Sequence, residues 1–208
     1  MRFGLFALFF GVLLSASPLQ AQTIHILAFG DSLTAGLGLE PQQAFPARLE
    51  AALKARGHDI VIANAGVSGD TSTAGAERLD WSLVPDIDGV IVELGANDAL
   101  RGIDPEETEK ALDGILSELK RRKLPVLFAG MLAPRNLGAD YGKKFDAVFP
   151  RLAEKHGVLF YPFFLDGVAA EPALNQPDGL HPNSKGVDMI VQRILPITED
   201  LLEQASPK

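Results

Sequence analysis

The chain contains no cysteine. That excludes disulfides, thiolate metal centres, a cysteine nucleophile and lipid attachment at an N-terminal cysteine. Positive charge is also in short supply: 19 Lys and Arg face 27 Asp and Glu, for a formal net charge of -8. Such a balance argues against nucleic acid and against adsorption to an anionic membrane surface. Beyond the first twenty residues no apolar run approaches the roughly 20 residues needed to cross a bilayer. The metal spacing H-E-x-x-H is missing, as are the phosphate-loop and dinucleotide glycine patterns. What remains is an ordinary globular composition of 208 residues, 47% of them hydrophobic and 22% charged. That length fits one domain that buries its own core without staples.

Met1 and Arg2 precede an apolar and glycine run from Phe3 to Leu14, followed by Ser15, Ala16, Ser17, Pro18, Leu19, Gln20 and Ala21. A basic start, a hydrophobic stretch of about 12 residues and a small or polar exit read as a secretory signal peptide over residues 1–21. The remainder, 22–208, reads as a single domain. The signal implies export, with the periplasm as the expected destination.

In the mature part, strand and helix alternate five times. Expected strands are Ile24–Gly30, Asp59–Ala63, Gly89–Gly95, Pro125–Ala129 and Val158–Tyr161. Expected helices are Gln43–Arg56, Thr71–Leu79, Asp104–Lys123, Asp140–His156 and Ser184–Leu202, with Pro196 expected to kink or interrupt the last. The third is best marked: Asp104 as cap, Pro105 in the first turn, acidic residues next and a basic run at its end. The strands read as runs buried on both faces, which points to a parallel sheet covered by helices on each side. In such sheets ligands bind at the carboxyl ends of the strands.

Four loops at that edge carry chemistry. Gly30-Asp31-Ser32-Leu33-Thr34-Ala35-Gly36 presents a serine directly after a buried strand. Asn64 to Thr71 is glycine-rich, so Gly69 can bring a backbone N–H close to a ligand. Gly95-Ala96-Asn97-Asp98 offers a side-chain amide to a developing oxyanion. Asp178-Gly179-Leu180-His181-Pro182-Asn183 sets a carboxylate three residues from an imidazole, which can fix its tautomer. Each alone is weak, since a serine or asparagine after a strand is often only a cap or turn residue. Together they supply a nucleophile, a base, an orienter and oxyanion donors, the set needed for acyl transfer. His25, His58 and His156 lie at element ends and read as structural.

The segments GDSLTAG, SGDT, GAND and DGLHPN, in this order, resemble the SGNH (GDSL) hydrolase family. VELGANDALRGIDPEET and PFF…DGLHPN resemble in particular its multifunctional thioesterase/lysophospholipase/arylesterase branch. The resemblance runs from about Ile24 to the last helix. It departs at Ala96, where relatives often carry glycine, and over Pro134 to Tyr141, which is slightly longer here. It implies a flavodoxin-like three-layer α/β/α fold with strand order 2-1-3-4-5. It implies Ser32 as nucleophile, His181 as general base and then acid, and Asp178 as its orienter. The oxyanion hole would be formed by the N–H groups of Ser32 and Gly69 with the Asn97 side chain.

A small ester or thioester with a medium or long acyl chain is the expected substrate, and no metal or cofactor is called for. Leu132, Pro134, Phe163, Phe164 and Leu174 are candidates for an apolar wall around the acyl chain. A carbohydrate O-acetylesterase and, from another class, a non-catalytic binding protein on the same fold are the rival readings.

Overall fold

The computed structural model describes residues 23–205; the expected signal peptide lies outside them. Five strands form one sheet: β1 (Ile24–Gly30), β2 (Ile60–Gly66), β3 (Gly89–Glu93), β4 (Val126–Ala129) and β5 (Leu159–Tyr161). Every pairing is parallel and the order is β2-β1-β3-β4-β5, as expected. Eight α-helices accompany them among the described residues: α1 (Ser32–Ala35), α2 (Phe45–Ala55), α3 (Ser72–Ser82), α4 (Ala96–Leu100), α5 (Pro105–Arg121), α6 (Ala139–Asp146), α7 (Val148–His156) and α8 (Ser184–Ala205). Helices α2 and α8 pack together as one layer, and α3, α5 and α7 form the other. No helix of the described residues is long and apolar enough to cross a membrane.

The central strands are buried throughout, because parallel strands covered on both faces need apolar side chains on both. The edge strand β2 departs from that expectation. Its pattern alternates, with Ile60 and Ile62 buried and Val61 exposed, since one of its faces lies open. It also runs three residues further than expected, with Asn64 to Gly66 paired to Ala28 to Gly30. The core is aromatic: Phe45 meets Phe164 edge-on at 4.9 Å, and Phe149 lies between Phe128 and Phe145. Truncating a fully buried phenylalanine such as Phe128 to alanine should cost about 3–5 kcal/mol.

Two prolines act in opposite ways. The helix expected over Asp140–His156 is broken at Ala147 into α6 and α7. Pro150 lies in the first turn of α7, where it has no N–H to continue the ladder from α6. Pro196, by contrast, does not interrupt α8. It lies on the exposed face, while Ile194, Leu195, Thr198 and Leu201 around it are buried and hold the turn to the sheet. Thr198 also donates its hydroxyl to the Ile194 carbonyl at 3.0 Å. Helix α5 begins as its sequence dictates, with the Asp104 side chain accepting from the Glu106 N–H at 3.0 Å.

Candidate active site

The four loops converge at the carboxyl edge of the sheet. Ser32 is the first residue of α1, and the cap is its neighbour: Asp31 accepts the Leu33 N–H at 2.9 Å. The turn from β1 into α1 is tight enough to require glycine at position 30. A Cβ there would stand 2.1 Å from Thr34 Oγ1 and 2.5 Å from the Glu93 carbonyl oxygen. The serine is thereby pinned by backbone geometry, with its hydroxyl aimed at the loop before α8.

That loop delivers His181. The Ser32 Oγ lies 2.9 Å from His181 Nε2, and His181 Nδ1 lies 2.6 Å from Asp178 Oδ2. With the Nδ1–H donating to the carboxylate, Nε2 is free to accept from the serine. Asp178 also accepts the backbone N–H groups of His181 at 3.0 Å and Leu180 at 2.9 Å. These bonds, the His181 amide first, pull its carboxyl down to about 2 although the side chain is 44% exposed. The loop is braced from within. Asn183 accepts the Lys185 and Gly186 N–H groups at the start of α8, and Gln176 donates to the carbonyls of Leu37 and Pro182.

In the loop after β2, Gly69 adopts φ +90, a conformation that favours glycine. Asn97 lies in the first turn of α4, and its Nδ2 donates to Asp31 Oδ2 at 3.1 Å and to the Asp70 carbonyl at 3.0 Å. Both bonds fix the amide plane. An incoming oxyanion would have to share or displace one of these acceptors. Asp98, fully buried beside it, accepts the Ser72 N–H at 2.8 Å, the Ser72 hydroxyl at 2.5 Å and the Thr108 hydroxyl at 3.1 Å. It ties the starts of α3 and α5 to α4.

Two buried carboxyls that the sequence reading did not single out lie beneath the serine. Burial pushes Asp31 up to about 6, against its bonds from Leu33 and Asn97. Burial, and then the neighbouring Asp31 charge, push Glu93 well above the usual carboxylate range. Glu93 accepts the Thr34 hydroxyl at 2.8 Å through Oε2, while its Oε1 has no partner. The signal was present: Glu93 is the one charged residue in the apolar run GVIVELG.

From Ser32 an apolar groove of about 620 Å³ runs toward β4 and β5. Of the residues expected to line it, Leu132, Pro134 and Phe163 do. Phe164 does not, because it faces the other way and is fully buried against Phe45. Leu174 is half-buried against the core and outside the groove. Met131, Leu165, Leu100 and Leu180 line it unforeseen. Leu180 was legible as the apolar residue next to His181 in the segment DGLHPN. His58 and His156 are paired with Glu199 and Asp113, as structural histidines are. Among the described residues no cluster of His, Asp or Glu could hold a metal ion.

Residues 28–189 match the model of the GDSL-like lipase/acylhydrolase family. The chain is 34% identical to "Esterase TesA" of Pseudomonas aeruginosa over 88% of its own length and 92% of that protein's. It is 39% identical to "Thioesterase 1/protease 1/lysophospholipase L1" of Escherichia coli, over 84% of this chain and 82% of the other. Among solved structures, AlinE4, an SGNH-hydrolase family esterase, is 47% identical with a TM-score of 0.74, covering 90% of this chain and 99% of that one. A chain with this fold, this convergence of loops and these relatives belongs to the GDSL-like lipase/acylhydrolase (SGNH hydrolase) family and is a hydrolase of ester bonds.

Proposed function

We propose that the protein is a serine hydrolase that cleaves carboxylic esters and thioesters through an acyl-enzyme on Ser32. The observation that carries this reading is the continuous relay from Ser32 Oγ through His181 to Asp178, at 2.9 and 2.6 Å. His181 takes the serine proton as Oγ attacks the carbonyl carbon. Asp178 holds the imidazole in the required tautomer and stabilises the imidazolium. The N–H groups of Ser32 and Gly69 and the Asn97 amide receive the oxyanion. His181 then protonates the departing alcohol, while a thiol can leave as thiolate. Water activated by the same imidazole releases the acid and restores Ser32.

The acyl chain occupies the groove lined by Met131, Leu132, Pro134, Phe163 and Leu165. Its apolar lining favours a medium or long chain over acetate, since burying methylenes there contributes about 0.8 kcal/mol each. The named activities of the relatives agree with this reading. The apolar run followed by small residues over residues 1–21 supports export, with the periplasm as the site of action.

A chain-length series of p-nitrophenyl esters and the matching acyl-CoA thioesters, on wild type and Ser32→Ala, tests the proposal. Turnover should peak at medium or long chains and vanish with Ser32→Ala. A peak at acetate would point to a carbohydrate O-acetylesterase. No turnover of any ester would leave the binding-protein reading as the better account.

A further inference from the structure

The hydrogen bonds around Asn97 close into a ring. Asn97 Nδ2 donates to Asp31 Oδ2 at 3.1 Å and to the Asp70 carbonyl at 3.0 Å. The Asp70 side chain accepts from Arg78 Nε at 2.5 Å, and Arg78 Nη2 donates to the Gly30 carbonyl at 2.9 Å. Gly30 and Asp31 are consecutive in the chain, so the circuit returns to its start. It joins the turn after β1 and the loop after β2 to α3, which carries Arg78, and to α4, which carries Asn97.

Arg78 is built into this position. Each of its three nitrogens is engaged, the third through Nη1 donating to the Ser82 hydroxyl at 3.1 Å. Its guanidinium carbon stands 4.3 Å from the centre of the Phe29 ring. The Arg78 and Asp70 side chains are 21% and 13% exposed, the least of any arginine–carboxylate pair among the described residues. A pair so shielded from water is less screened than one at the surface, and the planar fork fixes its direction.

The two acceptors of the Asn97 amide, Asp31 and the Asp70 carbonyl, lie in segments that Arg78 holds together. We infer that Arg78 is a positioning residue: it orients the Asn97 amide by clamping Gly30–Asp31 to Asp70, without touching the reacting atoms. The Gly69 carbonyl has a brace of its own, Arg101 Nη2 at 2.7 Å, which remains when Arg78 is replaced. The inference rests on the reading of Ser32 as nucleophile and Asn97 as oxyanion donor.

The test places Arg78→Gln and Arg78→Lys in the wild type and in Asn97→Ala. Turnover of p-nitrophenyl decanoate is measured at a temperature where circular dichroism shows each variant folded. In the wild type, Arg78→Gln should lower kcat about 10- to 100-fold with KM little changed, because a misplaced donor weakens only the transition state. Arg78→Lys keeps the charge but not the fork and should recover only part of that loss. In Asn97→Ala the donor is already gone, so Arg78→Gln should cost about twofold or less. An equal loss in both backgrounds overturns the inference, because Arg78 would then act without Asn97. A loss seated in KM overturns it too, as does full kcat in Arg78→Lys. If Arg78→Gln does not fold, Asp70→Asn tests the same clamp from its other end while keeping the Asp70 carbonyl. Its smaller loss of kcat should likewise vanish in Asn97→Ala, and persistence there overturns the inference. If the wild type does not turn over the ester, or Ser32→Ala still does, the ester-hydrolase reading fails first; an active wild type indifferent to Arg78 defeats this inference alone.

Discussion

The molecule holds carboxyl groups in two opposite ways within one site. Asp178 stands at the surface, ringed by N–H donors, and is driven down to about 2. Asp31 and Glu93 lie beneath Ser32, out of water, and are driven up. The difference follows from where water and donors are. Asp178 is placed where solvation and three hydrogen bonds favour the charge. Carboxyls that fill the space between β1 and β3 act through shape and hydrogen bonding, and burial holds them toward the neutral form. Asp31 lies between these extremes, capping α1 with one oxygen and holding the Asn97 amide with the other.

The contrast can be broken at several points. Asp178→Asn keeps the shape and removes the charge, so His181 loses its orienter; kcat should fall on the order of 10⁴-fold. Steady-state kinetics on a neutral ester measure it, and a fall below tenfold would show that Asp178 is dispensable. Asn97→Ala removes one oxyanion donor and should lower kcat by about 100- to 1000-fold with little change in KM. An effect seated in KM alone would assign Asn97 to ground-state binding instead.

Glu93→Gln acts on stability through pH. The folded-state value of Glu93 is raised, so its favourable contribution is complete below 4.5 and is lost as pH rises toward the folded-state value. The melting temperature of the variant, measured against wild type from pH 4 to 8, should gain on wild type steadily as pH rises. A gap that stays constant would mean Glu93 carries its charge without penalty. For Asp178 the sign is reversed. Its contribution is present above 3.8 and disappears as pH falls through about 2, so the gap between wild type and Asp178→Asn should be flat from pH 5 to 8.

Much of this was legible in the chain. The strand order followed from the resemblance carried by the four loop motifs, and α5 was fixed by Asp104, Pro105 and its basic end. The short helices α1 and α4 were not foreseen, because four or five residues hold no periodicity to read. The break before α7 was written in Pro150 yet masked by continuous helical spacing on both sides. For the site, the structure brings Ser32, His181 and Asp178 together, and it holds Asn97 against Asp31, the neighbour of Ser32. The supporting groups were harder. Glu93, Asp98 and Arg101 make their contacts with partners 26 to 59 residues away. Such relations appear only once the chain is folded. Of the five residues expected to form an apolar wall, Leu132, Pro134 and Phe163 line the groove; Phe163 and Phe164 are neighbours in sequence but face opposite directions.

The most direct test of the account is covalent capture. A fluorophosphonate should react with the protein and, after digestion and mass spectrometry, leave a single adduct on the peptide bearing Ser32. Ser32→Ala should not label, and labelling of the wild type should abolish ester turnover in proportion. An adduct on another residue, or full ester turnover after stoichiometric labelling of Ser32, would contradict the assignment of Ser32 as the nucleophile.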